Sequence, residues 1–495
     1  MTDWGRSAEL RSVLGRSEVP RIAVVGGGIT GLAAAHRLVE LGAARRTPVE
    51  PILIEALDRL GGTISTEYAG GYLIEGGPDA FLTEKPWAVD LCTRLGLGER
   101  LIPTQPGHRR TLILRGHRLL PLPEGFQLLA PSRLIPFWRS PVLSWRGKLR
   151  ATTELLLPRR RSQDDESVGE FVVRRFGREV LERLVQPLVT GIYAADPSAV
   201  SLRATMPRFA EMERADGSVI RALRRSASRR EPESGSGPRW NLFSAPAGGM
   251  HELVVGIAQR LPASSVKLRR RVTSVAHAGG ARSWRVNLAD GATLLVDGVI
   301  LAVPAPRAAR LVSGLDAALS DELAAIRYHS SAVVTLGYDR GAVRHRLDAF
   351  GFVVPRVEGR PILACSFSSL KFAGRAPDGS VLLRIFVGGE GAAEVLAGDD
   401  AHLAGATQQH VEEILGISSP PGLVRVHRHA GAMPQYEVGH ADRVAAIRAR
   451  VAQHPGLAVC GNAFAGVGIP DCIHSGEQAA EQVLESTSGL VRPSS

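Results

Sequence analysis

The turn Gly26-x-Gly28-x-x-Gly31 constrains this chain more than any other feature. It lies between an apolar run at residues 21–25, which reads as a strand, and residues 29–41, where Leu32, Ala35, Leu38 and Val39 recur at helical spacing. A second apolar run at 51–55 completes a β-α-β unit. In such a unit the first glycine permits the tight turn and the second lets the backbone approach a pyrophosphate. The third lets helix and sheet pack closely. The helix N-terminus then presents free N–H groups and a positive dipole end to phosphate. Gly26, Gly27, Gly28, Ile29, Thr30 and Gly31 are therefore the expected phosphate-binding turn. Glu55, which ends the second strand, is the expected acceptor for ribose hydroxyls. A dinucleotide site follows from these residues alone.

The 495 residues exceed what one core usually organises and suggest several lobes. With 44% hydrophobic and 22% charged residues, the balance is that of a globular protein. The net charge of +11 suits either a solvated, arginine-rich surface or a partner carrying several negative charges. Zinc-finger spacing, RNP-like aromatic motifs and basic helix repeats are absent from the sequence, so nucleic acid is not an expected partner. Cys92, Cys365, Cys460 and Cys472 form no C-x-x-C pair and imply buried thiols of a reducing cytoplasm. The fourteen histidines show no metal-ligand spacing, and no metal site is expected. Residues 1–20 lack the apolar core of a secretory signal, and no apolar run reaches 18 residues.

Further along, a helix is expected at 167–188 and a polar linker at 226–238. Strands are expected at 266–275, 283–288 and 292–303 around the Asp290-Gly291 turn, then at 331–338, 351–355, 362–367 and 381–387. A helix at 400–415, a strand at 456–461 and a helix at 471–484 follow. Elements of β-α-β type at both ends, with other material between, imply that the two ends build one cofactor domain together.

The cofactor is narrowed by Glu55-Ala56-x-x-Arg59-x-Gly61-Gly62-Thr63, which resembles the second phosphate-proximal motif of FAD enzymes of the amine oxidase class. Arg59 can neutralise pyrophosphate charge, and Gly61-Gly62 permit close backbone approach. An ordered set of further segments extends the likeness. These are Gly76-Gly77-Pro78-Asp79-Ala80-Phe81-Leu82, SVGEF at 167–171, QPLVTGIYAAD at 186–196 and Gly248-Gly249-Met250. Met433-Pro434-Gln435-Tyr436 before Val438-Gly439-His440, Gly461-Asn462, GVGIPDC at 466–472 and Gly476 complete it. From about residue 21 to 484 the chain resembles the FAD-dependent protoporphyrinogen/coproporphyrinogen oxidases, a branch of the flavin amine oxidase superfamily. It most resembles the soluble bacterial type acting on coproporphyrinogen III.

That resemblance implies an α/β (α+β overall) fold: a Rossmann-type FAD-binding domain, an interleaved substrate-binding sheet domain and a helical lobe. The implied division gives the FAD-binding domain residues 21–100, 239–305 and 446–485. A helical lobe for substrate access takes 101–225, and a β-rich substrate domain takes 306–445. Residues 1–20 and 486–495 are expected to be flexible tails. It also implies noncovalent FAD, a porphyrinogen substrate and six-electron oxidation, with O2 reduced to H2O2. Beside the flavin it places Gly77, Pro78, Asp79 and Ala80. It places Val272 at the adenine, and Gly461, Val467, Gly468, Ile469 and Pro470 in a segment closing over the cofactor. Lys85, just after the flavin-side stretch, is the candidate for binding a propionate or tuning substrate protonation; the bland alternative is a solvated lysine. Ile192, Tyr193, His429 and Tyr436 are the expected lining of the substrate cavity; for Ile192, Tyr193 and Tyr436 the alternative is ordinary core packing. His429 stands where relatives often carry a tryptophan near the flavin.

Coproporphyrinogen III and protoporphyrinogen IX both remain open as substrates. So do an amine oxidase, a polyene desaturase and a non-catalytic FAD-binding protein, although six tyrosines and Phe464 make an amine-sandwiching aromatic cage hard to assemble. A cytoplasmic monomer or homodimer is expected. The apolar, arginine-dotted stretch 119–145 reads either as a buried lobe over the substrate, which is favoured, or as a peripheral membrane contact.

Overall fold

The computed structural model describes residues 19–108, 110–162, 164–229, 242–279, 283–389 and 392–489. The N-terminal stretch 1–18, most of the expected linker (230–238) and residues 490–495 lie outside the described residues.

The β-α-β unit forms as read, from Arg21–Val25, helix Ile29–Arg45 and Glu50–Ile54. It sits in a five-stranded parallel sheet ordered Val266–Lys267, Glu50–Ile54, Arg21–Val25, Gly298–Leu301, Leu457–Val459. Strands from three distant parts of the chain thus make one sheet. Alternation splits the two faces. Ile22, Val24, Leu53 and Ile300 pack with helix Ile29–Arg45 and the C-terminal helix Ile469–Gly489. Ala23, Val25, Ile52, Ile54 and Leu301 pack beneath an antiparallel sheet of Val272–His277, Trp284–Leu288 and Thr293–Val296, joined by helices Ala305–Val312 and His440–Val451. Both faces are covered, as a parallel sheet requires. A Cβ at Gly476 would overlap the carbonyl oxygen of Thr30, so the C-terminal helix crosses the first helix at its N-terminus in very close contact.

A seven-stranded sheet stands beside this domain. Its order is Leu423–Pro434, Tyr328–Asp339, Ser380–Gly388, Ile362–Phe367, Gly351–Val353, Thr111–Arg115, Arg118–Pro121. Helix Asp400–Leu415 covers one face through Leu403, Val411 and Leu415. The other face carries Arg384, in register with Thr335, which in turn pairs with Arg425. Arg425 reaches Glu67, and Arg384 donates to the Gly77 carbonyl, so this face meets the 66–79 segment.

The helical lobe packs around Phe137, Phe171, Phe176 and Phe209, all fully buried. Helix Val168–Phe176 starts on a capping box: Ser167 Oγ accepts from Glu170 N, and Glu170 accepts from Ser167 N, each at 3.0 Å.

Several expectations are corrected. Helix 167–188 is interrupted at Gly177, whose φ of +93° a side chain would strain, and helical structure then continues from Arg178 to Tyr193. The strand 292–303 divides at Asp297: Thr293–Val296 stays in the antiparallel sheet, while Gly298–Leu301 enters the parallel one. Residues 226–229 end helix Val219–Arg229 instead of opening a linker. Residues 486–489 are helical, with Thr487 buried, rather than part of a tail. The hairpin Thr111–Arg115/Arg118–Pro121 belongs to the seven-stranded sheet, not to the helical lobe. Stretch 119–145 is split in character, with Phe126, Leu129 and Phe137 buried and Ile135, Trp138 and Trp145 exposed. Among the described residues no helix is long and apolar enough to cross a membrane.

Candidate cofactor and substrate site

The glycine turn has the geometry its spacing requires. A Cβ at Gly26 would crowd Ala302, and one at Gly31 would overlap the Gly26 carbonyl oxygen. At Gly28 an added Cβ would meet no protein atom within 4 Å. Gly28 caps helix Ile29–Arg45 with no side-chain hydrogen bond, so the first-turn N–H groups have no side-chain cap. Glu55 lies against this turn: its carboxylate accepts from Gly27 N at 2.6 Å and from Leu57 N at 2.8 Å. That fixes the carboxylate and leaves lone pairs for hydroxyl donors. Arg270 N donates to the Glu55 carbonyl, which sets Val272 close to the end of the second strand.

A second wall begins at Gly61, bridged to Gly28. Arg59 folds over it, donating to the carbonyls of Gly62 at 2.7 Å and Ile64 at 3.3 Å. Ala56 lies just before this loop and Thr63 within it. The carbonyl oxygen of Thr63 lies so close to Gly77 that a Cβ there would overlap it. The stretch Gly76–Ala80 is thus a direct continuation of the glycine cradle.

Sequence reasoning missed what holds this stretch. Asp79 accepts from Lys371 Nζ at 3.0 Å on both oxygens, and Arg384 Nη1 lies 3.3 Å from Oδ2. Burial works against its ionisation, but the two cations prevail and hold its carboxyl at about 2. Arg384 is 1% exposed, and beyond its pairing with Asp79 and Gly77 its Nε has no hydrogen-bond acceptor in the protein. A lone arginine inside the apolar strand SVLLRIFVG was the available signal; nothing local marks Lys371. His429 Nε2 donates to the Gly76 carbonyl at 2.9 Å. Burial, with Arg384 and Arg59 nearby, lowers its pKa despite that bond, so the ring is a neutral donor at neutral pH. His429 thus anchors the glycine stretch by a hydrogen bond.

The third wall is the segment before the C-terminal helix. Gly461 N donates to Ser475 Oγ, and Cys472 N closes onto the Gly468 carbonyl, so Val467, Gly468, Ile469 and Pro470 form the helix entry. Lys85 Nζ donates to Asp471 Oδ1 at 2.6 Å. Asp471 was quoted in a motif but not singled out, and it is the hub here. It is close enough to Tyr193 to add to the effect of burial, which pushes that phenol up to about 12. Tyr436 is a brace: its hydroxyl donates to the Asn462 carbonyl at 2.6 Å and accepts from Gly466 N at 2.9 Å, and its ring stacks on His440. Ile192 is exposed on the last turn of its helix.

These residues fit FAD. The open space at Gly28 and the uncapped helix start are each features that an acceptor-rich ligand would complete. Gly26–Gly31 and Arg59 would hold pyrophosphate, Glu55 the ribose, the Val272 strand the adenine, and Gly77–Ala80 with Val467–Pro470 the ring system. Among the described residues no group of three or more His, Cys, Asp or Glu side chains is placed to hold a metal ion.

Comparison with known proteins agrees with this assembly. Residues 29–484 match the family model for flavin containing amine oxidoreductase. Over 94% of its length the chain is 35% identical to a coproporphyrinogen III oxidase of Bacillus subtilis, spanning 97% of that protein. It is 36% identical to one of Propionibacterium freudenreichii, spanning 91% of it. A chloroplastic protoporphyrinogen oxidase of Spinacia oleracea is 30% identical over 93% of this chain and 84% of its own. A crystal structure from Exiguobacterium sp. 255-15, carrying a provisional protoporphyrinogen oxidase name, superposes with TM-score 0.83 at 31% identity, covering 95% of this chain and all of that one. The chain belongs to the flavin-containing amine oxidoreductases, in the porphyrinogen oxidase branch, and is an FAD-dependent oxidoreductase.

Proposed function

We propose that this enzyme oxidises coproporphyrinogen III to coproporphyrin III in haem biosynthesis, with noncovalent FAD and with O2 as the final acceptor. The observation that carries the reading is similarity, over 94% of the chain, to proteins named coproporphyrinogen III oxidase. Six electrons and six protons leave the macrocycle, and three O2 become three H2O2. FAD, when bound, supplies the electron acceptor for each two-electron step. The protein's own residues orient substrate and exclude water.

Lys85 is the cation offered to a propionate, and Asp471 fixes its position. Tyr193 stays protonated at neutral pH and can only act there as a neutral donor or acceptor. The excess of basic residues favours the approach of a substrate with four carboxylates. Noncovalent binding is supported by Cys472, a buried thiol near the helix entry whose pKa burial pushes up to about 12, which disfavours the nucleophilic thiolate. We place the enzyme in the cytoplasm as a monomer or homodimer.

The second reading is protoporphyrinogen IX, favoured by the similarity to the Spinacia protein. Initial rates on FAD-loaded protein in air, with each porphyrinogen supplied separately and porphyrin fluorescence followed, decide between them. The expected result is higher kcat/KM for coproporphyrinogen III. The reverse preference overturns the substrate, and no turnover of either overturns the function. Acid precipitation should release the flavin into the supernatant; flavin retained in the pellet refutes noncovalent binding.

A further inference from the structure

Arg384 is a buried cation whose placement needs a reason. It sits in the middle of Ser380–Gly388, is 1% exposed, and shares its surroundings with the ring of Phe386. Its Nη2 donates to the Gly77 carbonyl and its Nη1 ion-pairs with Asp79 at 3.3 Å, yet its buried Nε finds no acceptor. Leaving buried guanidinium N–H groups unpaired is costly, and a packed apolar residue would avoid the cost. Lys371, with its ammonium 15% exposed at the side chain, brings a second cation to the same carboxylate. One anion therefore faces two cations. The neighbouring pair, Glu75 and Arg375, is of opposite sign and adds no net charge when both are ionised.

We propose that Arg384 is a positioning residue for the flavin, and that with Lys371 and Asp79 it leaves one net positive charge behind the Gly76–Ala80 wall that favours reduced over oxidised FAD. Arg384 acts through the Gly77 carbonyl and the Asp79 carboxylate, which it and Lys371 lock in place. Those groups belong to the wall that runs without a break from Gly28 through Gly61 and Thr63. Reduction adds negative charge to the ring system, and a cation in a poorly solvated surrounding stabilises that state. The inference rests on the FAD site and not on the porphyrinogen.

The test is the two-electron midpoint potential of the FAD holoenzyme, measured by dye-equilibrated reductive titration without porphyrinogen. Arg384→Met and Lys371→Met should each lower the ratio of reduced to oxidised flavin about tenfold at a fixed poise, which is about 30 mV for a two-electron couple. Asp79→Asn, which removes the anion, should move the potential the other way, and Arg384→Lys should stay near wild type. A merely structural role predicts shifts in one common direction, because every variant loosens the same wall. Such a common direction, or shifts below twofold in all three charge-changing variants, overturns the proposal. If Arg384→Met retains no FAD, the opposite signs of Lys371→Met and Asp79→Asn decide. Normal shifts in a protein that oxidises neither porphyrinogen would leave this inference standing and sink only the assigned substrate.

Discussion

Lys85 and Asp471 meet at 2.6 Å although 386 positions separate them in the chain. The pair ties the segment that follows the Gly76–Ala80 stretch to the first turn of helix Ile469–Gly489. Trp87 reinforces the tie by stacking on His474 with ring centroids 4.0 Å apart. Lys85 is thus held at the meeting point of the second and third walls while 42% of its side chain stays exposed.

Lys85→Ala should lower kcat/KM about tenfold or more, the size of a lost hydrogen bond to a charged group. FAD content should be unchanged. A stability loss of about 1–3 kcal/mol should accompany the substitution, because the buried Asp471 carboxylate loses its cationic partner. Steady-state kinetics beside flavin absorbance check this. An unchanged kcat/KM leaves Lys85 as a solvated lysine with an ion-pair partner.

Gly28 and Gly31 stand in one turn but should fail differently. Gly28 has φ −70°, and an added methyl meets open space. Gly28→Ala should leave the apoprotein's unfolding midpoint unchanged while weakening FAD binding about tenfold or more. Gly31→Ala drives a methyl into the Gly26 carbonyl and should cost about 2 kcal/mol or more in apoprotein stability. Urea unfolding of the two apoproteins, beside FAD titration, separates cradle from packing.

The contrast shows why this site was only partly legible. The glycine turn, Glu55 and Arg59 are read by local rules, since a tight turn and a helix start depend on neighbours in sequence. Lys371 reaches Asp79 across 292 positions and Arg384 reaches Gly77 across 307. No local pattern encodes such pairings. The strand Leu423–Pro434 escaped notice for a related reason. It lies at an edge of its sheet with most residues only partly buried, so the apolar alternation that marks a strand is missing. His429 is marked only by family resemblance, which carries no signal for its hydrogen bond to the Gly76 carbonyl. The interleaved sheet was legible as two ends needing each other. The change of sheet at Asp297 was not, because the strands on both sides of it are equally apolar.

His440 gives the fold a defined acid sensitivity. Burial lowers its pKa to about 4, with Arg443 adding to the effect, and its ring stacks on Tyr436 under the closing segment. The folded value lies below the ordinary 6.5, so the unfolded chain binds the extra proton first. Its contribution is therefore complete above about pH 6.5 and is lost as pH falls toward about 4. One proton sets an upper slope of about 1.4 kcal/mol per pH unit for this residue. His440→Gln should flatten that part of the stability profile relative to wild type in urea titrations between these pH values. An identical slope would show that other groups carry it.

The helical lobe should depend on one buried ion pair and not on the cofactor. Arg175 and Glu154 are both fully buried; Arg175 Nε donates to Glu154 at 3.0 Å, and Ser218 Oγ and Val219 N complete the carboxylate's shell. Taking the carboxylate away strands a guanidinium, with Glu213 at 3.4 Å as its remaining anionic partner among the described residues. Glu154→Ala should therefore cost about 3–5 kcal/mol. The double variant Glu154→Leu/Arg175→Met, which removes both charges, should recover most of that. A coupling of this sign in urea unfolding separates the cost of an unpaired charge from simple loss of packing. FAD affinity of any folded fraction should match wild type, because neither residue belongs to the three walls of the site. A double variant no more stable than Glu154→Ala would mean that the surrounding apolar packing, rather than charge compensation, organises the lobe.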